Sequence, residues 1–326
     1  MVYLETGSTD PYFNLAFEEY YLTHAGDEDI LILWQNDNTV VTGLNQNTFE
    51  EVNMQYVREH DVKVVRRMTG GGAVYHDLGN LNYSMITKIS ARDKISVDPF
   101  MEAVCSALAA FGLEAEYSGR NDITIDGKKV SGTAQRVIHD HMLHHGTLLF
   151  RSDPQIIQAV LTPSPLKYAS RSTESVRSRV GNISDRLDQE VTLEIFWAGL
   201  KAALAGRGAV SAQADDKALA EIMELADRKY RTWEWNFGRS PECTVSQKAK
   251  YPGGLIEFRA EICEGQIKDI HFYGDYMALK DDAELRKDLT GVKYTREEVA
   301  EVLDKTDMHS IFGDISEEQL LELMFC

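Results

Sequence analysis

Short apolar runs of strand character alternate with segments of helical period over the first 240 residues. "DILILW" and "TVVTGL" are apolar and β-rich, and they predict strands. "DVKVVRR" and "NLNYSMITK" predict two more, on either side of a glycine turn. Asp10-Pro11 has the form of an N-cap followed by proline, and it opens a helix running to about Tyr21. Asp98-Pro99 starts a second helix, with Phe100, Val104 and Leu108 near one face and Gly112 as its stop. "NDITIDGKKVSG" carries a hairpin signal, its Asp126-Gly127 suited to a tight turn. "TLLF" predicts a further strand, and helical patterns follow at about 192–205 and 215–230.

The pattern changes near 236–246. There "TWEWNFGRSP" closes the long helix with aromatics, then glycine and proline. Beyond it come a hairpin ("GLIEFRAEIC", a turn near Gly265, "IKDIHFY") and short helical patterns at about 281–289, 295–304 and 316–325. A strand pair with helices is a small α+β module. The chain thus divides into domains 1–240 and 241–326.

Charge narrows the classes. The 326 residues carry 34 Lys+Arg against 52 Asp+Glu, a net charge of −18. Phosphate contacts need clustered Lys and Arg, so a general nucleic-acid binder is disfavoured. No apolar run approaches the length of a transmembrane helix. The N-terminus lacks the basic and apolar regions of a secretory signal. Cys105, Cys243, Cys263 and Cys326 lie far apart with no C-x-x-C pair, which argues against a disulfide framework or a cysteine zinc site and fits a reducing cytoplasm.

Three clusters bear on chemistry. In "RRMTGGGAVYHDLGNLNYS" a strand delivers Arg66 and Arg67 into Gly70, Gly71 and Gly72. Such glycines permit close backbone approach, and successive N–H groups form an anion-binding concavity. Arg66 or Arg67 adds charge-assisted contacts to a phosphate or carboxylate. A plain β-turn is the alternative. The loop lacks G-K-[ST] and is not G-x-G-x-x-G. The second cluster is Asn121, Asp122, Lys128, Lys129 and Ser131, which the hairpin brings together. A lysine there suits a phosphoryl oxygen or a developing oxyanion, and an aspartate suits magnesium. A solvated hairpin tip is the alternative. The third is His139, His141, His144 and His145. Their spacing matches no zinc motif, and a loop histidine pair beside Gly146, with His145 facing a pocket, is the preferred reading. Trp34 ends its strand as either core or ligand wall. The basic run Lys167, Arg171, Arg177 and Arg179 is a solvated face or a landing patch for an acidic protein.

In order and spacing, "DPYFNLAFEEY", "LILWQN", "RRMTGGGAVYHDLGNLNYS", "GRNDITIDGKKVSG" and "HHGTLLF", followed by "WEWNFG", resemble the lipoate–protein ligases over almost the whole chain. The resemblance implies an α/β (α+β) fold: a biotin/lipoate-ligase-like catalytic domain with mixed sheets and flanking helices, then a small α+β C-terminal accessory domain. It also implies two steps. Lipoate and ATP give lipoyl-AMP and pyrophosphate, and a lysine of an apo lipoyl domain then takes the acyl group and releases AMP. By that likeness Arg67, Thr69, Gly70, Gly71, Gly72, Ala73, Val74, Tyr75 and His76 wrap the adenylate, with Arg67, Thr69, Gly72 and His76 closest. Lys129 bridges phosphate and acyl oxygens. Asn121 and Asp122 bind near the phosphate, Asp122 as a Mg2+ ligand. Trp34, Ser131 and His145 belong to the substrate side, Trp34 and His145 lining the acyl slot. The implied acceptors are lipoyl domains of 2-oxoacid dehydrogenase complexes and the glycine-cleavage H protein; octanoate is a candidate second acid.

Four rivals compete; one, a covalent nucleotidyltransferase, needs K-x-D-G with a lysine nucleophile, and the residue two before Asp126 is Thr124. An octanoyltransferase of the same superfamily uses a cysteine nucleophile, and Ser131 to Phe150 contains none. A biotin ligase carries a Gly-Arg-Gly-Arg type loop in place of "RRMTGGGAVYH". A non-catalytic acyl-adenylate-binding paralogue is expected to lose the chemical residues first, yet Arg67, Asp122, Lys129 and the glycines are present.

Overall fold

The computed structural model describes residues 1–89, 98–118, 121–161, 180–187, 190–206, 208–239, 243–276 and 280–325. The basic run from Lys167 to Arg179 lies outside the described residues. Two compact units emerge: Met1–Leu44 with Asp61–Thr232, and Asn45–His60 with Trp233–Cys326. The chain is therefore not divided at a single point, because a segment from its first sixty residues packs with the tail.

In the first unit the elements run β1 (Val2–Glu5), α1 (Pro11–Thr23), β2 (Ile30–Trp34), β3 (Thr39–Thr42), β4 (Lys63–Arg66), β5 (Val74–His76), β6 (Asn80–Lys88) and α2 (Asp98–Ala109). Then follow β7 (Ala115–Ser118), β8 (Asp122–Ile125), β9 (Lys128–Ile138), β10 (His141–Leu149), α3 (Pro154–Val160), α4 (Leu193–Ala205), β11 (Val210–Ser211) and α5 (Asp216–Leu225). Eight strands form a mixed sheet in the order β11-β1-β2-β6-β10-β9-β8-β7, and β4-β3-β5 form a second, small one. Strands β1 and β2 pair in parallel, and from β2 outward through β6, β10, β9, β8 and β7 the ladders are antiparallel.

Period-two alternation in β6 decides which face does what. Leu81, Tyr83 and Met85 join the core with Met101, Val104 and Leu108 of α2 and Phe196 and Leu200 of α4. Asn80, Asn82 and Ser84 point to the other face and are also buried. Helix α1 lies on that side. Its N-cap Asp10 accepts from Tyr12 N at 3.2 Å, with Pro11 in the first turn as the sequence predicts. At its far end Glu19 accepts from Lys229 Nζ and Tyr230 OH, both at 2.5 Å, from a π-helical turn (Ala226–Tyr230) that follows α5. The β8–β9 hairpin turns through Asp126 and Gly127 with φ of 49° and 70°, the paired left-handed residues of a type I′ turn.

The second unit holds an antiparallel sheet of β12 (Cys243–Tyr251), β13 (Gly254–Cys263) and β14 (Gln266–Gly274). Ile256, Phe258, Ala260 and Ile262 face a core closed by the helices Ala283–Leu289, Arg296–Leu303, Met308–Phe312 and Glu317–Phe325. The expected two-stranded hairpin thus gains a third strand. Of the described side chains of β12 only Val245, Ala249 and Tyr251 pack on that core, and the exposed Gln247 interrupts them opposite Phe258, too weak an alternation to stand out. The segment Asn45–His60 joins this unit through Phe49, whose ring lies 5.5 Å from that of Phe237 and 5.4 Å from that of Tyr294. Thr48 Oγ1 donates to Asn236 O at 2.7 Å and Arg58 to Phe325 O at 2.7 Å.

Candidate active site

The polar face of the large sheet opens into a cleft. Strand register explains its floor: Trp34 pairs with Asn82, and Asn82 with Thr147, so one row across β2, β6 and β10 faces the space. Leu15 of α1 closes one side, Gly71 to Val74 another, and Lys129, Gly132 and Asn121 a third.

Arg67 is spent on the shape of the glycine loop. It is buried, and its guanidinium donates to Thr69 Oγ1 (2.9 Å), Val41 O (3.2 Å), Gly70 O (2.6 Å) and Gly72 O (2.9 Å). Burial pushes its pKa down to about 10, against the pull of Glu18. Gly43 sets the loop from outside, because a Cβ there would stand 2.1 Å from Gly71 O. Gly71 itself has φ of 91°.

Behind the cleft wall runs a continuous donor chain. Arg67 Nε donates to Thr69 Oγ1, which lies 2.8 Å from His145 Nε2. His145 Nδ1 lies 2.8 Å from Glu18 Oε1, which also accepts from Ser84 Oγ at 2.5 Å. Ser84 Oγ in turn accepts from Trp34 Nε1 at 2.9 Å. These groups are all buried, so their mutual satisfaction locks the Trp34 and His145 rings in place. His76 also lines the cleft, edge-on to Trp34 with ring centroids 6.2 Å apart. Burial, Arg67 and His145 together push its pKa down to about 3, so it is neutral at ordinary pH.

At the hairpin, Lys129 Nζ sits 2.7 Å from Asp122 Oδ1, each side chain about one-third exposed (35% and 36%). Asn121 O accepts from Thr133 N at 2.9 Å, which pins the strand start beside it. A Cβ on Gly132 would stand 3.2 Å from the lysine Nζ, so glycine leaves that ammonium its room. Among the described residues no group of three His, Cys, Asp or Glu side chains is placed to hold a metal ion. Asp122 as a lone carboxylate fits a magnesium ion carried chiefly by substrate phosphates, the usual arrangement for that ion, rather than a protein cage.

Of the residues the sequence singled out, Trp34, Arg67, Gly71, Gly72, Ala73, Val74, His76, Asn121, Lys129 and His145 line the one cleft. Thr69 and Gly70 stand behind it as partners of Arg67. Tyr75 does not line it: strand alternation turns its ring away, and its hydroxyl donates to Asn38 Oδ1 at 3.0 Å. Ser131 does not either; it is fully buried beside the Tyr83 hydroxyl. Asp122 reaches the cleft through Lys129. His144 and His145 are in β10 rather than a loop, and alternation sends His144 to the opposite face, stacked 5.0 Å from Phe100. Sequence reasoning missed Leu15, Gly43, Asn82, Gly132 and Glu18. The first four types are unremarkable alone; the acidic Glu18 inside an apolar helical run was the one visible signal.

The family model described as the lipoyl protein ligase A/B catalytic domain matches residues 10–205, and that for the bacterial lipoate protein ligase C-terminus matches 240–324. Lipoate-protein ligase LplJ of Bacillus subtilis is 39% identical over 321 residues, covering 97% of each chain. A bipartite lipoate protein ligase of Thermoplasma acidophilum, solved in a study with its E2 lipoyl domain, superimposes with a TM-score of 0.66 at 30% identity, over 75% of this chain and 98% of that one. A lipoate-protein ligase A bound with ATP does so with a TM-score of 0.63 at 29% identity, over 73% and 98%. Fold, cleft and matches define an acyl ligase with a catalytic and a C-terminal domain. The chain belongs to the lipoate–protein ligase family.

Proposed function

We propose that this protein activates lipoate with ATP and transfers the lipoyl group to a lysine of apo lipoyl domains. One observation carries the reading: a single cleft is bordered by a braced glycine loop, by the Lys129 ammonium and by the Trp34–His145 wall. A carboxylate oxygen of lipoate attacks the α-phosphorus of ATP, and pyrophosphate leaves. The acceptor lysine amine then attacks the acyl carbon, an amide forms, a proton is lost and AMP leaves. The glycine loop receives the adenylate on its backbone. Lys129 bridges phosphoryl and acyl oxygens and offsets the charge that develops in both steps. Trp34 and His145 hold the acyl chain and ring. Asp122 would help hold a magnesium ion, which would supply charge neutralisation for the triphosphate.

The unit Met1–Leu44 with Asp61–Thr232 is the catalytic domain, and Trp233–Cys326 with Asn45–His60 is the accessory domain, in place of a single division at 240. The acceptors are lipoyl domains of 2-oxoacid dehydrogenase complexes and the glycine-cleavage H protein. Octanoate is a second acid for the slot, and the reaction is cytoplasmic. No helix among the described residues is long and apolar enough to cross a membrane. Cysteine-mediated acyl transfer is disfavoured by Cys105, which packs on the α2 side of the sheet, where burial pushes its thiol pKa up.

The test is the intact mass of an apo lipoyl domain incubated with this protein, lipoate and magnesium, with and without ATP. A lipoyl-sized gain only with ATP is expected. No gain and no lipoyl-AMP on the protein would sink the reading.

A further inference from the structure

We propose that Asn14 and Asn36 are positioning residues that hold the His76 ring as its Nε2–H tautomer, a fixed donor to an oxygen of the acyl adenylate. The identity of that ligand rests on the ligase reading; the relay itself rests on geometry alone.

Asn14 Nδ2 lies 3.0 Å from Ser8 O and 2.7 Å from Gln35 O. Both are backbone carbonyls and only accept, so the Asn14 amide must turn its NH2 group to them. The same nitrogen lies 2.9 Å from Asn36 Oδ1, one proton being shared between acceptors. This fixes the Asn36 carbonyl toward Asn14 and sends its Nδ2 to His76 Nδ1, 3.1 Å away. A ring nitrogen that receives an N–H is an acceptor, so the ring proton sits on Nε2. That atom is buried and has no partner among the described residues, while its ring lines the cleft. A buried donor is costly to leave unmade, and one held this firmly is reserved for a ligand acceptor.

The charged and titratable groups facing His76 are Arg67 and His145, and both, with burial, drive its proton off. The ring therefore acts as a neutral donor across ordinary pH, and which nitrogen holds the proton decides whether it attracts or repels an oxygen. Asn82 adds a second donor: its Oδ1 accepts from Asn80 Nδ2 at 2.9 Å, and its buried Nδ2 is left without a partner on the same cleft. Two unpartnered donors in a buried wall suit the oxygen-rich acyl-phosphate segment of an adenylate.

The test uses the full chain with 15N-labelled histidine and long-range 1H–15N spectra, with His76 assigned by loss of its signals in His76→Gln. The wild type is expected to show a protonated Nε2 and a bare Nδ1, unchanged from pH 5.5 to 8, and the Nε2–H signal should move on addition of lipoate, ATP and magnesium. Asn36→Asp supplies an acceptor to Nδ1 instead. It should move the proton to Nδ1 or charge the ring, lower kcat for adenylate formation about tenfold or more, and give kcat a new pH dependence. Asn14→Ser, which frees the Asn36 amide to turn over, should give mixed tautomers and serves if Asn36→Asp does not fold. A protonated Nδ1 in the wild type overturns the proposal. So does an unaltered tautomer with a flat pH profile in Asn36→Asp, or an Nε2–H signal unmoved by bound adenylate. If no adenylate forms, the ligase reading fails separately. The free-protein spectra then judge the relay: an Nε2–H tautomer lost in the variants upholds it, and any other result removes it.

Discussion

Lys129 and Asp122 sit 2.7 Å apart, yet each is about one-third exposed. A pair so wetted adds little to stability, on the order of 0–1 kcal/mol. Its value is a cation held at the cleft edge, with Gly132 leaving space around it. Lys129→Ala is therefore expected to keep the melting temperature within about 4 °C. Pyrophosphate release and lysine transfer should each fall by about 10²–10³. Single-turnover assays of the two steps check this, and wild-type rates in either would remove the lysine from that step. Glu18 is the opposite case. It is 1% exposed and accepts from both Ser84 and His145. Glu18→Gln places an NH2 group among those donors, so a loss of about 1–3 kcal/mol is expected in urea melts. The KM for lipoate should rise more than the KM for ATP, because the disturbed ring is that of His145 and not the glycine loop.

At the scale of an element, the glycine run is not three equal residues. A Cβ on Gly70 or Gly72 meets nothing within 4 Å, and neither has a left-handed φ. Gly71 does, and Gly43 touches it from a different strand end. Gly70→Ala is expected to melt within about 0.5 kcal/mol of the wild type. Gly71→Ala and Gly43→Ala should lose about 1 kcal/mol or more, the first through strain and the second by pushing the loop aside. Equal melts for all three would mean the loop yields freely. The sequence advertised the glycines but could not say which one the backbone needs, since Gly43 lies far upstream and looks like any strand end. Local signals served well where one short-range device decides the structure: Asp10-Pro11, Asp98-Pro99 and Asp126-Gly127 all sit where expected. They failed where long-range pairing decides it. β10 absorbs the histidines because β6 and β9 flank it, β12 forms because β13 offers an edge, and Asn45–His60 leaves the strands around it for the tail's core. The cleft was legible as motifs, but Glu18 and Asn36 acquire meaning only from partners twenty to a hundred and thirty residues away.

Each unit of the molecule has its own core, so unfolding is expected as two transitions rather than one. Acid should act on them unequally. His76 and His144 both lie in the first unit, and burial, helped by nearby charge, pushes each pKa down to about 3. The ordinary value in an unfolded chain is about 6.5. As pH falls below about 6.5 the unfolded chain takes up these protons and the folded one does not. Stability is thus intact above that pH, and each histidine removes about 1.4 kcal/mol per pH unit on the way to pH 3. At pH 5 the two together cost the first unit about 4 kcal/mol, which lowers its transition by on the order of 10 °C. In the second unit the carboxyls of Glu257 and Asp307 are held below their usual range by Arg259 and Ser310. A lowered carboxylate keeps its contribution until pH falls toward about 4, so these two leave the pH 7 to 5 window untouched. Calorimetry at pH 7 and pH 5 should then show one endotherm moving down and the other in place. His144→Phe, which keeps a ring against Phe100 and removes one titrating group, should roughly halve the movement. Two endotherms that shift together, or a His144→Phe protein as acid-sensitive as the wild type, would mean that these buried histidines do not govern the acid limb.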